Sequence, residues 1–384
     1  MEQQEEENGK CNICYCVCCK KIFPQRILLQ IMLVFCTTIM YSHRVCISMA
    51  IVHMTNWVDN STIEVVCTRS KVNTSVKFEI NDIQFDWDES IQSYILLSFY
   101  IGYVIGNTFI GFLIDKFGGR WCLFIGSLMS SVMTLIVPLL AYNMHWAVLC
   151  VSRAIAGLGQ TPLTACTSSL ISRWFLEDKK SGAVTVVLTT YTLGVIIGNV
   201  ASGFIMEWTK TWCFVFYFFG TIGVIWNVIF FFYGYSYPQV HPHITQKELK
   251  LLEVIPKPAE MKIPLWRILS DVSVWMFFIG FMGSDFTLYL IITNMPKYFV
   301  SVLGLDTSLT GAVLMGPPVA GVLGGIVFGF TSNWIIKKKY MKKLTFRMIC
   351  SVIGLPISSA CLLVMVYTRC HVVMACVLVC LSMF

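Results

Sequence analysis

Residues 34–54 read VFCTTIMYSHRVCISMAIVHM, an apolar stretch with a single arginine, Arg44, near its centre. About 20 such residues are needed to cross the hydrocarbon core of a bilayer. A cation held there costs at least about 2.5 kcal/mol even on the mildest insertion scale. The stretch poses two questions: whether it spans a membrane, and what Arg44 is there to meet.

Composition answers the first. Of 384 residues, 56% are hydrophobic and 13% charged, with a mean hydropathy of +0.71; soluble domains carry about 25% charged residues. Apolar windows recur at 27–52, 91–114, 122–142, 146–170, 182–206, 213–235, 273–295, 309–336 and 348–367. Another begins near His371 and is still running at Phe384. The pattern predicts an all-α polytopic membrane protein. The opening MEQQEEENGK is acidic and polar, so no cleavable signal peptide is expected and the first span directs insertion.

Basic residues concentrate on the cytoplasmic side of membrane proteins. With a cytoplasmic N-terminus, 20 of the 28 Lys and Arg residues fall inside, six outside, and Arg44 and Arg153 within spans. The net charge of +7 is read as topology, not as a nucleic-acid surface. The long loop expected outside, 56–90, carries the sequons NST at Asn60 and NTS at Asn73, both acceptors for N-glycosylation. The cytoplasmic tail, 1–25, holds Cys11, Cys14, Cys16, Cys18 and Cys19. Their spacing lacks the second ligand pair of a zinc site. Their place beside Lys20 and Lys21 suits S-palmitoylation as well as an unmodified tail.

The chain divides into a first bundle of six spans (26–236), a polar cytoplasmic linker (237–271) and a second, partial bundle (272–384). A short helix is expected in the linker at Thr245–Glu253, with Thr245 as its N-cap. GFLIDKFGGRW (111–121) and GFTSNWIIKKK (329–339) both read Gly-Phe-x-x-(Asp or Asn) and then turn basic. They close the second span of each half, an echo of internal duplication. Gly102 and Gly106, Gly194 and Gly198, Gly321 and Gly325, and Gly325 and Gly329 stand four apart. That spacing lets helix backbones approach closely, whether simply to pack or also to slide.

GFLIDKFGGR resembles the loop signature of the major facilitator superfamily, Gly-x-Leu-x-Asp-(Arg/Lys)-x-Gly-x-(Arg/Lys). The resemblance assigns Gly111, Asp115, Gly118, Gly119 and Arg120 to a conformational loop motif. Four further stretches, YSHRVCISMAIVHM (41–54), FDWDESIQSYILLSFYIGYVIG (85–106), VSRAIAGLGQTPLTAC (151–166) and YLIITNMPKYFVSVLGL (289–305), are similar to one branch of that family. The branch includes sialin, the vesicular glutamate carriers and the type I sodium–phosphate cotransporters, and the pattern is that of the insect inorganic phosphate cotransporters. The likeness covers about residues 26–370. It implies a major-facilitator helical bundle of two six-helix halves, with about 10 of the 12 spans present and the second half incomplete. It also implies secondary active transport of organic or inorganic anions, phosphate or carboxylate-bearing solutes, by alternating access and ion-coupled symport. The expected setting is a monomer in the plasma membrane or an endolysosomal or vesicle membrane. Because the sequence stops inside the tenth span, a fragment of a longer product is one expectation. A truncated, non-transporting membrane protein acting through partner binding is the other.

Arg44 and Arg153 are the basic residues within spans. Intramembrane arginines face the protein interior or a wet cavity, and the guanidinium fork fits carboxylate or phosphate bidentately. The spans offer few acids, Asp285 in span seven being the clearest, so a small anionic substrate is the expected partner of both arginines. The family likeness implies the same two positions. The competing expectation is an internal salt bridge that ties helices together. Proton-linked relatives carry glutamates after the span-four arginine, where this chain has Ala156 and Gln160. Their span-two histidine is Leu96 here and their span-seven arginine is Ser284. Glutamine cannot titrate, so glutamate-type proton coupling is not expected, and sodium coupling or anion exchange gains ground. Asp285, with Ser284 and Thr287 beside it, is a candidate for the coupling cation, sodium or proton, or for pairing with an arginine. Gln160 and Tyr100 complete the polar pocket. No metal or other cofactor is expected. The sequence holds no H-E-x-x-H, G-x-S-x-G or P-loop, which disfavours an enzyme.

The topology has a direct check. In animal cells Asn60→Gln and Asn73→Gln should each remove one glycan. A tag inserted near Gln246 should stain only after permeabilisation; staining of intact cells would reverse the orientation.

Overall fold

A computed structural model describes residues 24–55, 82–242, 244–252, 265–338, 343–368 and 371–383. Asn60, Asn73 and the N-terminal cysteines lie outside these residues. Among the described residues the chain is helical apart from turns and one bridge between Thr55 and Phe85. The first group comprises α1 (Gln25–Met54), α2 (Glu89–Phe117), α3 (Gly119–Asn143), α4 (Trp146–Gln160), α5 (Pro162–Trp174), α6 (Glu177–Thr209) and α7 (Cys213–Tyr233). Two short linker helices follow, α8 (Gln246–Leu252) and α9 (Leu265–Leu269). The second group is α10 (Val272–Lys297) with a π-helical turn at Tyr298–Val302, α11 (Thr307–Val313), α12 (Gly316–Lys337), α13 (Lys343–Tyr367) and α14 (Val372–Met383).

Among the described residues, eight stretches of helix are long and apolar enough to cross a membrane. The fourth apolar window is not among them because it folds as two consecutive helices, α4 and α5. Pro162 has no N–H to continue the ladder, and the Thr161 hydroxyl bonds the Leu158 carbonyl at 2.7 Å at the junction. The outward faces are largely apolar, with Phe112 71%, Val352 72% and Phe330 74% exposed, while Thr37, Ser42, Arg44, Ser130 and Arg153 are buried. That is the arrangement expected of helices in lipid, where backbone groups are satisfied within each helix.

α1 is the centre of the first group: every residue from Ile39 to Thr55 is buried. It packs on α6 and α7, and α2 packs on α4. Glycine sets the separations. A Cβ on Gly102 of α2 would overlap the Ala154 carbonyl of α4, and one on Gly157 of α4 would overlap the Phe99 carbonyl of α2. Gly194 would meet the Thr38 carbonyl of α1 at 2.6 Å, and Gly198 would meet the Ser42 Cα at 3.0 Å. The second-group glycines differ. A Cβ on Gly325 or Gly329 would meet nothing within 4 Å among the described residues, so the sequence spacing overstated close packing there.

The linker is tied to the first group. α8 begins at Gln246, and the Thr245 carbonyl takes the Leu249 N–H at 2.9 Å. The Glu248 carboxylate accepts the backbone N–H groups of Gln25 and Arg26 at 3.0 and 3.1 Å. Pro24 offers α1 no side-chain cap, so Glu248 satisfies the free donors of that helix and opposes its dipole.

The two groups touch where α1 ends. Glu89 pairs with Lys297 at 3.1 Å, and Tyr100 bonds Thr293 at 2.7 Å. His53 bonds Thr307 at 2.6 Å. A Cβ on Gly311 would lie 2.8 Å from the Asn199 carbonyl, which marks the close crossing of α6 and α11. A cavity of about 490 Å³ lies between α6 and α12, lined by residues such as Thr185, Thr189, Val319 and Leu323. A second cavity, about 250 Å³, lies between the groups against Tyr41, Tyr191, Leu288 and Pro317.

Gly102→Ala should lower stability by at least about 1–3 kcal/mol, the cost of overpacking, whereas Gly325→Ala should be close to neutral. Thermal unfolding of the detergent-purified protein separates the two.

Candidate functional site

The arginine of the opening stretch sits at the contact between the groups. Arg44 is 3% exposed. Its Nη2 donates to Gln160 Oε1 of α4 at 3.3 Å, and its Nη1 to the Tyr289 hydroxyl of α10 at 3.1 Å. Four rings surround the guanidinium carbon: Tyr41 at 4.8 Å, Tyr103 at 4.9 Å, Phe99 at 5.0 Å and Tyr289 at 5.4 Å. Ring faces attract a cation electrostatically, more strongly once both are out of water. Tyr41 lies three residues before Arg44, so the 3.6-residue period puts the two on one face of α1. Phe99 and Tyr103 share a face of α2 for the same reason.

Gln160 closes α4 just before the Pro162 break and is 1% exposed. Its amide nitrogen donates to the Met40 carbonyl and to Ser130 Oγ, both at 3.1 Å. Its oxygen is thereby aimed at Arg44. A carboxylate at this position has no proton to give to either acceptor, so the site is shaped for an amide.

Arg153, two turns earlier on α4, is 2% exposed. Its guanidinium carbon lies 5.1 Å from the Phe99 ring centre, the same ring that Arg44 uses. No hydrogen bond reaches Arg153 among the described residues, and its Nε is buried without a partner, as is that of Arg44. No carboxylate among them forms an ion pair with either arginine.

The other sequence candidates divide. Tyr100 joins the site, its ring 5.2 Å from that of Tyr289. Asp285 is half-buried on α10, one turn before Tyr289, and Ser284 is exposed. The Thr287 hydroxyl bonds its own helix at the Gly283 carbonyl. The expected alternative of an Asp285–arginine bridge is not formed. The loop motif lies away from the site. Gly118, with φ of +80°, ends α2 and returns its N–H to the Ile114 carbonyl at 2.9 Å, a conformation that glycine adopts freely. Gly119 packs against Leu170. Arg120 donates to the Phe231 carbonyl at 2.6 Å and stacks on Tyr235. Gly111 and Asp115 are exposed, and Asp115 has no polar partner among the described residues. Sequence reading missed the four rings, Ser130 and His43. An aromatic residue three positions before an intramembrane arginine was the available signal for Tyr41.

These features define a multi-pass, all-helical membrane protein with a buried cationic site at the junction of two helical groups. The chain belongs to the Major Facilitator Superfamily, whose family model matches residues 33–384. It is 29% identical over 298 residues to a Drosophila ananassae protein named "Putative inorganic phosphate cotransporter", covering 75% of this chain and 61% of that one. It is 29% identical over 346 residues to sialin of Homo sapiens, covering 88% and 68%. The chain spans 61% and 56% of the lengths of two Drosophila cotransporters that it matches. A bacterial homologue of the human lysosomal transporter Spinster shares the fold at a TM-score of 0.63 and 13% identity, covering 94% of this chain and 73% of that one. The D-xylose–proton symporter does so at 0.60 and 14%, covering 93% and 79%.

Gln160→Leu removes an acceptor from Arg44 and a donor from Met40 and Ser130. Each buried group left unpaired costs about 1–3 kcal/mol, so the thermal midpoint should fall by several degrees. Ser130→Ala, which removes one partner of three, should cost less.

Proposed function

We propose that this chain moves a small anion across a membrane by alternating access, with Arg44 and Arg153 as the anion-binding pair. The observation that carries this is Arg153: a guanidinium almost wholly buried, with no acceptor and no ion pair among the described residues. An uncompensated buried charge costs about 3–5 kcal/mol when a partner is removed, and an anion supplies the missing partner. Phosphate and carboxylate both match the guanidinium fork. The names of the similar proteins, an inorganic phosphate cotransporter and sialin, agree with an anionic cargo.

The arrangement of the two groups supports the motion. They touch at the end where α1 finishes, and the site lies between them. With the N-terminus cytoplasmic, as the basic residues favour, Glu89–Lys297, His53–Thr307 and the α6–α11 crossing lie on the outer side.

Proteoliposomes holding the full chain should take up labelled phosphate, glutamate or sialic acid. Arg153→Gln and Arg44→Ala should each abolish uptake while surface expression in cells is largely kept. Arg44→Lys keeps the charge and loses the fork, so affinity should fall without vanishing. Full transport by a well-expressed Arg44→Ala protein would falsify the role of that residue.

A further inference from the structure

His43 precedes Arg44 on α1 and is 1% exposed. Its Nε2 lies 2.9 Å from the Phe219 carbonyl of α7. A carbonyl only accepts, so the neutral ring carries its proton on Nε2 and leaves a bare lone pair on Nδ1. That lone pair is buried, and no hydrogen bond reaches it among the described residues. Gly223 brings α7 against this edge of the ring: a Cβ there would lie 2.7 Å from His43 Cε1 and would overlap the Ser131 hydroxyl of α3. Ser131 has given its own proton to the Ser127 carbonyl at 2.7 Å, so it presents a lone pair. Nδ1 is therefore the ring nitrogen free to take a second proton.

Burial is the first thing that disfavours a charged ring, and nearby cations add to it. Arg153 of α4 acts on the ring electrostatically, and Arg44 is the next residue on its own helix. Cys46 is one turn on, its thiol donating to the His43 carbonyl at 3.3 Å. α3 contributes Ser131 and α7 contributes Phe219 and Gly223, none of them charged. α6, which also packs on α1, offers Tyr191, stacked on Tyr41 at 4.7 Å. An imidazolium here would be a third cation with no carboxylate to offset it. An anion seated on the arginines reverses that balance, and by linkage a proton on His43 would strengthen anion binding by the same factor.

We infer that His43 Nδ1 is the proton-binding site of this protein and that it is coupled to the arginine pair. The proton comes from water on the side where the anion enters and returns to water where the anion leaves. The inference rests on the anion-binding reading above. It supplies a titratable group that Gln160 cannot be, and α3 runs by both: Gln160 bonds Ser130, and the adjacent Ser131 and the His43 ring both border Gly223.

The test uses the full chain labelled with ¹⁵N-histidine in lipid nanodiscs, with His43 assigned by the signal lost in His43→Gln. Near pH 6 and without anion, the ring should show the neutral Nε2–H form with a bare Nδ1. Arg153→Met removes the charge and keeps the bulk. It should raise the ratio of protonated to neutral ring by about tenfold or more, the effect of deleting one nearby cation. Sialic acid at saturation, its carboxyl ionised at this pH, should do the same in the native chain, which keeps the test intact if the variant does not fold. An unchanged ratio in folded Arg153→Met overturns the inference. So does an unchanged ratio in the native chain when sialic acid, glutamate or phosphate binds, as read by a raised thermal midpoint; the anion site then stands without its proton. If none of the three binds, the anion reading itself fails. In proteoliposomes an inward proton gradient should accelerate native uptake, and the ratio of uptake with and without the gradient should fall to about one in His43→Gln. A ratio unchanged by that substitution would overturn the role of His43.

Discussion

A guanidinium taken out of water and given neutral partners is the constraint on which the first helical group is built. Water would surround Arg44 with mobile dipoles. Here a fixed set replaces them: one amide oxygen, one phenol oxygen and four ring faces. These partners take one N–H on each terminal nitrogen without cancelling the charge, while Nε stays buried without a partner. A carboxylate in place of Gln160 would cancel it, and the field of Arg44 would be spent inside the protein. The amide leaves that charge without a carboxylate partner among the described residues, and Arg153 adds its own.

Holding the donors in place requires close helices. Gln160 reaches the Met40 carbonyl only because α4 lies near α1, and Arg153 reaches Phe99 only because α2 lies near α4. Gly102 and Gly157 permit the second approach by offering no Cβ to each other's backbone. Dispersion and lipid exclusion, not water, drive such contacts in a bilayer. The polar site and the glycine packing are therefore one design: the cations set what must be satisfied, and the small residues set how near the satisfying groups can come.

The fold was legible because its signals are long. Ten apolar windows and a loop signature specify a helical bundle however each side chain points. The two buried arginines also stood out, since a charge in a 20-residue apolar run is costly and calls for a partner. The partners were legible only in part. Gln160 was read as part of the pocket, but Tyr289 and Ser130 come from two other helices, and no local spacing records that they meet Arg44 and Gln160. The break at Thr161 and Pro162 was passed over because hydropathy averages across it. His43 was hidden by its neighbour, since beside an arginine in an apolar stretch a histidine reads as one more weakly polar residue. Only the direction of one hydrogen bond, into the Phe219 carbonyl, shows which of its nitrogens is left bare.

The same guanidinium also joins the two groups. One N–H of Arg44 is held by Gln160 within the first group, and another by Tyr289 on α10 of the second. Rocking the groups apart at the end where α1 finishes would strain the Tyr289 contact along with Tyr100–Thr293 and Glu89–Lys297. On the proposed reading, an anion that takes bidentate hold of a guanidinium competes with Tyr289 for the same donor. Occupancy and the contact between groups then draw on one set of N–H bonds. A cargo that replaces the phenol loosens the closed end, and an empty site restores it. Arg153, whose donors are uncommitted among the described residues, is the place for first capture. Arg44, whose donors already span the junction, is the place where capture is felt by both groups. A binding energy shared in this way is what a ligand needs in order to bias one arrangement of the two groups over another.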